Sequence, residues 1–175
     1  MNKVFFDLEW NTGFLDGNSF DEIIEIGAVK TDEEYRQIDG FRRLIRPVIY
    51  RKMNPYIQKI LAITMKDLQG EEPLASVAKA FFDWCGDCDT LIAWSGNDFG
   101  VLEKNLAHIG MKIPEQLGRY DVQMAYAYRT ENSIRNYALK AAVEAMELPE
   151  PEGQEYHDAY CDAQFTAAIG RALTE

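Results

Sequence analysis

With 175 residues and a formal charge of −11, from 29 acidic and 18 basic side chains, the chain has the size of one compact domain and a poor balance for coating a polyanion. No apolar run is long enough to span a bilayer, and Met1-Asn2-Lys3-Val4 leads straight into a strand pattern with no signal-peptide layout. The three cysteines are too few, and odd in number, for a disulfide scaffold. The expectation is a cytoplasmic domain covering 1–175 that would hold nucleic acid, if at all, at one place where bound cations invert the charge of the site.

Val4 to Glu9 reads as a buried strand with a polar end, and Asn11-Thr12-Gly13 as a turn. Ile23 to Val29 and Phe41 to Ile45 read as the second and third strands. A short helix is expected near Tyr56 to Leu61. A longer one, with Pro73 in its first turn and Glu71-Glu72 at its positive end, runs to about Trp84. Thr90 to Trp94 is a fourth, short strand. Helical spacing recurs over Phe99–Ile109, over Val122–Tyr128, over Ile134–Met146 with Ser133 as its cap, and from about Ala159 to Leu173. Pro149 to Glu155 reads as a polar loop. Strands first and helices later predict an α/β domain, a mixed central β-sheet flanked by α-helices.

Three acidic signals interrupt this pattern. Asp7 and Glu9 lie two apart on the first strand, so both leave one face, where their repulsion and desolvation need relief. Water at a strand end would serve; so would a divalent cation, and Mg²⁺ and Mn²⁺ prefer oxygen ligands. Asp98 follows a buried strand, at the carboxyl end where α/β sheets place ligands, although taken alone it reads better as the cap of the helix from Phe99. His157 and Asp162 stand five apart, separated by roughly 140° on a continuous helix. They converge only if His157 precedes the helix, with Asp158 as its N-cap. The rival arrangement pairs Asp158 with Asp162 at i, i+4.

Trp84-Cys85-Gly86-Asp87-Cys88 looks like a thioredoxin active site. That chemistry needs a thiolate at a helix N-terminus, whereas Cys85 follows a helix and precedes a strand. Gly86 reads as the helix terminator and the cysteines as packing residues.

The order of these signals resembles that of the DEDDh exonuclease family, which has a ribonuclease H-like fold and includes ribonuclease T, bacterial proofreading subunits and ERI-1-like RNA exonucleases. Phe5-Phe6-Asp7-Leu8-Glu9-Trp10, Ile23 to Val29, Ile63-Thr64 with Leu68, Gly96-Asn97-Asp98-Phe99, Tyr120-Asp121-Val122, and His157-Asp158-Ala159 with Asp162-Ala163 carry the likeness along nearly the whole chain. Trp10-Asn11 stands where relatives often carry a small hydroxyl residue. The resemblance implies a 3′→5′ exonuclease that acts on single-stranded RNA or DNA 3′ ends and releases nucleoside 5′-monophosphates. It implies two Mg²⁺ or Mn²⁺ ions, with Asp7 shared between them, Glu9 and Asp162 completing one site, Asp98 supporting the other, and His157 taking the proton of the attacking water. Trp10 and Phe14 are candidates for stacking on terminal bases, against the alternative of core or loop packing. The competing function is a catalytically silent module of the same fold that binds nucleic acid or a basic protein partner.

Overall fold

The structure, a computed structural model, describes residues 1–149 and 157–174; most of the expected polar loop at 149–155 lies outside the described residues. The strands are β1 (Lys3–Leu15), β2 (Asn18–Thr31), β3 (Gln37–Leu44), β4 (Thr90–Ala93) and β5 (Gly118–Asp121). The helices are α1 (Pro55–Leu61), α2 (Met65–Leu68), α3 (Leu74–Cys85), α4 (Gly96–His108), α5 (Val122–Glu131), α6 (Leu139–Ala145) and α7 (Ala159–Ala172).

The sheet order is β3-β2-β1-β4-β5. β2 is antiparallel to both its neighbours, while β4 runs parallel to β1 and β5. Side chains alternate along β1. Val4, Phe6 and Leu8 join Phe81, Phe99 and Leu102 in a core against α3 and α4. Phe5 joins Val122, Phe165 and Ile169 in a second core against α5 and α7. Asp7 and Glu9 continue the row of Phe5, so the carboxylates belong to the α7 face. The β1–β4 ladder ends at Phe5 and Ile92, short of Asp7, and the sheet opens there where its strand direction switches.

Three expectations need correction. Asn11-Thr12-Gly13 is strand, not turn: Asn11 is buried, donating from Nδ2 to the Lys52 carbonyl (3.1 Å) and accepting the Asn54 N–H at Oδ1 (2.8 Å). The chain reverses instead at Asp16-Gly17, both at positive φ (50° and 80°), a two-residue Asp-Gly hairpin loop. The helix expected over Ile134–Met146 shrinks to α6. Asn132 ends α5 in the left-handed conformation, and the Tyr137 carbonyl accepts from Trp94 Nε1 (3.0 Å) and Gln123 Nε2 (2.7 Å), so tertiary bonds hold this stretch off the helix. Ser133 still accepts an N–H, from Arg135 at 3.0 Å, but in that connection rather than at a helix start. The third correction is β5, a strand where only an Asp-bearing motif was expected; Asp121 ends it and caps α5 by accepting the Met124 N–H at 2.9 Å.

Candidate active site

Four carboxylates meet at the middle of β1. Asp7 and Glu9 come from the strand itself. Asp98 arrives on the first turn of α4. Ser95, not Asp98, caps that helix, accepting the Asn97 N–H at 3.2 Å, which leaves Asp98 buried and turned inward. Asp98 is tied to β1 by the Leu8 backbone N–H and accepts the Ser95 hydroxyl at 3.3 Å.

Asp162 arrives on α7. Asp158 is that helix's N-cap, accepting the Cys161 N–H at 3.1 Å, so Asp162 is free to point at the sheet. Gly27, opposite Asp7 in the ladder, makes this possible: a Cβ there would lie 2.1 Å from the Tyr160 nitrogen and 2.2 Å from the Ala159 carbonyl carbon. The backbone of α7 therefore rests on the sheet itself. His157 precedes the helix at a φ of 69°, and its N–H donates to Asp162 Oδ2 at 3.2 Å. Ligand atoms of Glu9, His157 and Asp162 all lie within 4.8 Å of one another.

The electrostatics record the crowding. Burial first, then the charges of Asp98, Asp162, Glu9 and Glu25, push the Asp7 carboxyl well above the usual carboxylate range. Burial and its acidic neighbours push Glu9 up to about 8 and Asp162 to about 7. Asp98 rises to about 6, burial outweighing its hydrogen bonds. Asp162 Oδ1 is buried without a hydrogen-bond partner, an arrangement that costs free energy unless a cation meets it. Carboxylate oxygens, one of them buried and unpartnered, with the His157 imidazole beside them, fit a divalent ion.

The structure separates the two aromatic candidates. Trp10 packs partly buried against the α3–α4 core and lines a surface depression with Asn97 and Lys104. Phe14 stands 77% exposed near the tip of the β1–β2 hairpin. Cys85 lies in the last turn of α3, with Gly86 after it at φ 61°. Both Cys85 and Cys88 are buried, and burial pushes the Cys85 thiol up to about 12, which suppresses a thiolate. Glu25, an acid on β2, stands outside the four carboxylates. It is buried at 1% exposure opposite Glu9 and bonded to Arg42, a residue that sequence reasoning passed over. An acid inside a run of Ile, Gly, Ala and Val was the signal that such a partner exists.

A family model described as an exonuclease, RNase_T, matches residues 4–169. The chain belongs to this exonuclease family. The exonuclease domain is 29% identical over 169 residues to a PolC-type DNA polymerase III of Clostridium perfringens (strain 13 / Type A), a match covering 95% of this chain and 11% of the polymerase. The chain thus spans about a ninth of that relative's length. Its fold is similar to the nuclease domain of 3′hExo, a DEDDh family member bound to rAMP (TM-score 0.83, 17% identity, 99% of this chain and 91% of that one). It is also similar to E. coli Exonuclease I in complex with a dT13 oligonucleotide (TM-score 0.75, 17% identity, 99% and 41%). The α/β, ribonuclease H-like fold and the family resemblance drawn from the motifs are both borne out. Among the described residues no helix is long and apolar enough to cross a membrane.

Proposed function

We propose that residues 1–175 form one 3′→5′ exonuclease domain that hydrolyses the terminal phosphodiester of single-stranded RNA or DNA and releases nucleoside 5′-monophosphates. The observation that carries this reading is the gathering of Asp7, Glu9, Asp98 and Asp162 from three distant segments, one of them with a buried, unpartnered oxygen. These four carboxylates would hold two divalent ions, Mg²⁺ or Mn²⁺. When bound, such ions make water a stronger nucleophile and stabilise the charge on the departing oxygen.

The chain's own groups do the rest. The His157 imidazole takes the proton of the attacking water and, being exposed, passes it to solvent. Its backbone N–H holds Asp162 in the orientation seen here. Ser95 and the Leu8 N–H hold Asp98 in the same way. Trp10, half-buried beside the Asn97–Lys104 depression, and the exposed Phe14 near the hairpin tip would be the aromatic rings available to terminal bases without sequence preference. The nucleotide and oligonucleotide held by 3′hExo and Exonuclease I support a nucleic-acid chain end as the substrate.

The test is digestion of 5′-labelled RNA and DNA oligonucleotides with Mn²⁺ or with EDTA. A ladder shortening from the 3′ end, absent in EDTA and absent for Asp7→Ala and Asp162→Ala, is expected. Undiminished release by either variant overturns the assignment, and binding without release assigns the silent module instead.

A further inference from the structure

One row of the sheet runs Asp7, Gly27, Arg42 across β1, β2 and β3. Residues paired across adjacent strands present their side chains to the same face. The middle position has none, and the start of α7 fills the gap. The helix terminus therefore sits between an acid on one side and an arginine on the other.

Asp162 lies on the acid's side. On the other side, Asp158 caps Cys161 N–H through Oδ1 and pairs through Oδ2 with Arg42 Nη2 at 2.5 Å. The same guanidinium donates from Nε to Glu25 Oε1 at 2.8 Å. Glu25 also accepts the Ala159 backbone N–H, the first residue of α7. The outer face is pinned as well: Gln37 Nε2 donates to the Tyr160 hydroxyl at 2.8 Å, and Gly40 leaves room beneath the Tyr160 ring.

We propose that Arg42 is a positioning residue for the carboxylate site. It holds the first turn of α7 in register with β1, and by pairing Glu25 and Asp158 it keeps those two acids out of the ligand set. The proposal rests on the metal-dependent reading above. Glu25 is the cross-strand neighbour of Glu9, so its Cβ lies within about 5.5 Å of that of a proposed ligand. Without the guanidinium, a carboxylate 1% exposed would stand beside Glu9 with no cation in place. It would then repel Glu9 or compete with it for an ion, and Asp158 would lose the anchor that fixes the helix cap.

The experiment compares Arg42→Met, Arg42→Lys, Glu25→Gln and the double variant Arg42→Met/Glu25→Gln. It reads the Mn²⁺ dissociation constant from the spin-resonance signal of free Mn²⁺, the thermal midpoint in EDTA, and kcat and KM on an oligonucleotide. Arg42→Met should weaken Mn²⁺ binding and lower kcat about tenfold to a hundredfold, leave KM unchanged, and lower the midpoint. Arg42→Lys should fall between, because a point charge cannot serve both acids as a planar fork does. Adding Glu25→Gln should recover part of the midpoint and of the Mn²⁺ affinity, since it removes the uncompensated Glu25 charge but leaves Asp158 without its anchor. Wild-type affinity and kcat in Arg42→Met, or in Arg42→Lys if the Met variant does not fold, overturns the proposal. So does a double variant no better than Arg42→Met. If the wild type binds no Mn²⁺, the reading of function fails separately, and the EDTA midpoints of the four variants still decide whether Arg42 clamps α7.

Discussion

Gly27→Ala is the smallest change that separates the fold from the site. Its Cβ would lie 2.1 Å from the Tyr160 nitrogen, 2.2 Å from the Ala159 carbonyl carbon and 2.5 Å from the Ala159 oxygen. Non-bonded carbon contacts relax only near 3.5 Å, so the helix start must retreat by roughly 1 Å or more. These are backbone atoms of the first turn of α7, so no rotamer change relieves them, and Asp162 and His157 move with the helix. Overpacking of this kind costs about 1–3 kcal/mol, which for a domain of this size lowers the thermal midpoint by roughly 2–10 °C. Displacing reacting groups by about 1 Å costs on the order of a hundredfold in rate. The expected variant is therefore folded, modestly less stable, and about a hundredfold slower in Mn²⁺-dependent nucleotide release. Gly40→Ala is the control. Its Cβ would meet the Tyr160 ring and hydroxyl, which can swing outward, so rate should fall far less. Circular dichroism melting and single-turnover digestion read both effects. A Gly27→Ala protein with wild-type turnover would refute the claim that close approach of α7 builds the site.

Three further outcomes follow from the charges. Folding raises the carboxyl groups of Glu9 and Asp162 to about 8 and about 7, against roughly 4 in an unfolded chain, so the folded state binds more protons in between. The metal-free protein should thus be most stable near pH 4 and lose stability as pH rises to about 8; a flat or rising midpoint by calorimetry in EDTA would contradict the burial of these acids. Asp7→Asn should raise the EDTA midpoint by removing a repelled charge while abolishing nucleotide release, and a lower midpoint would mean that Asp7 is not repelled. His157→Ala should lower kcat about a hundredfold or more with KM little changed, and an unaltered kcat would remove the imidazole from the proton transfer.

The acidic positions stood out in the sequence because each violated its local pattern. Asp7 and Glu9 broke an apolar strand, and Asp158 had a helix to cap, which released Asp162. What the sequence hid was decided by partners far along the chain. Nothing local distinguishes Ser95 from Asp98 as the cap of α4; the Leu8 N–H, ninety residues away, draws Asp98 inward. Asn11 looked like a turn residue, and it is strand because Lys52 and Asn54 satisfy its amide. Tyr137 had helical spacing around it, and its carbonyl was taken by Trp94 and Gln123. The hairpin is legible at Asp16-Gly17, the turn signal that follows Asn11-Thr12-Gly13 along the chain.

The same acids explain how a chain of net charge −11 can belong to a nuclease family. Without a cation, the fold carries a raised Asp7, a Glu9 near 8 and an unpaired Asp162 oxygen, all of which oppose folding at neutral pH. A ligand that binds only the folded state adds RT ln(1 + [L]/Kd), about 2.7 kcal/mol at a hundredfold excess over Kd. Relief of repulsion is thus a source of ion affinity, and it is largest where the acids are most buried. The charge that makes the chain unfit to coat a nucleic acid is, at one point on β1, the charge that would draw in the ions on which a phosphate could dock. Removing repulsion by Asp→Asn substitution, or Glu→Gln at Glu9, therefore trades affinity for stability, and the two should change in opposite directions across the four positions.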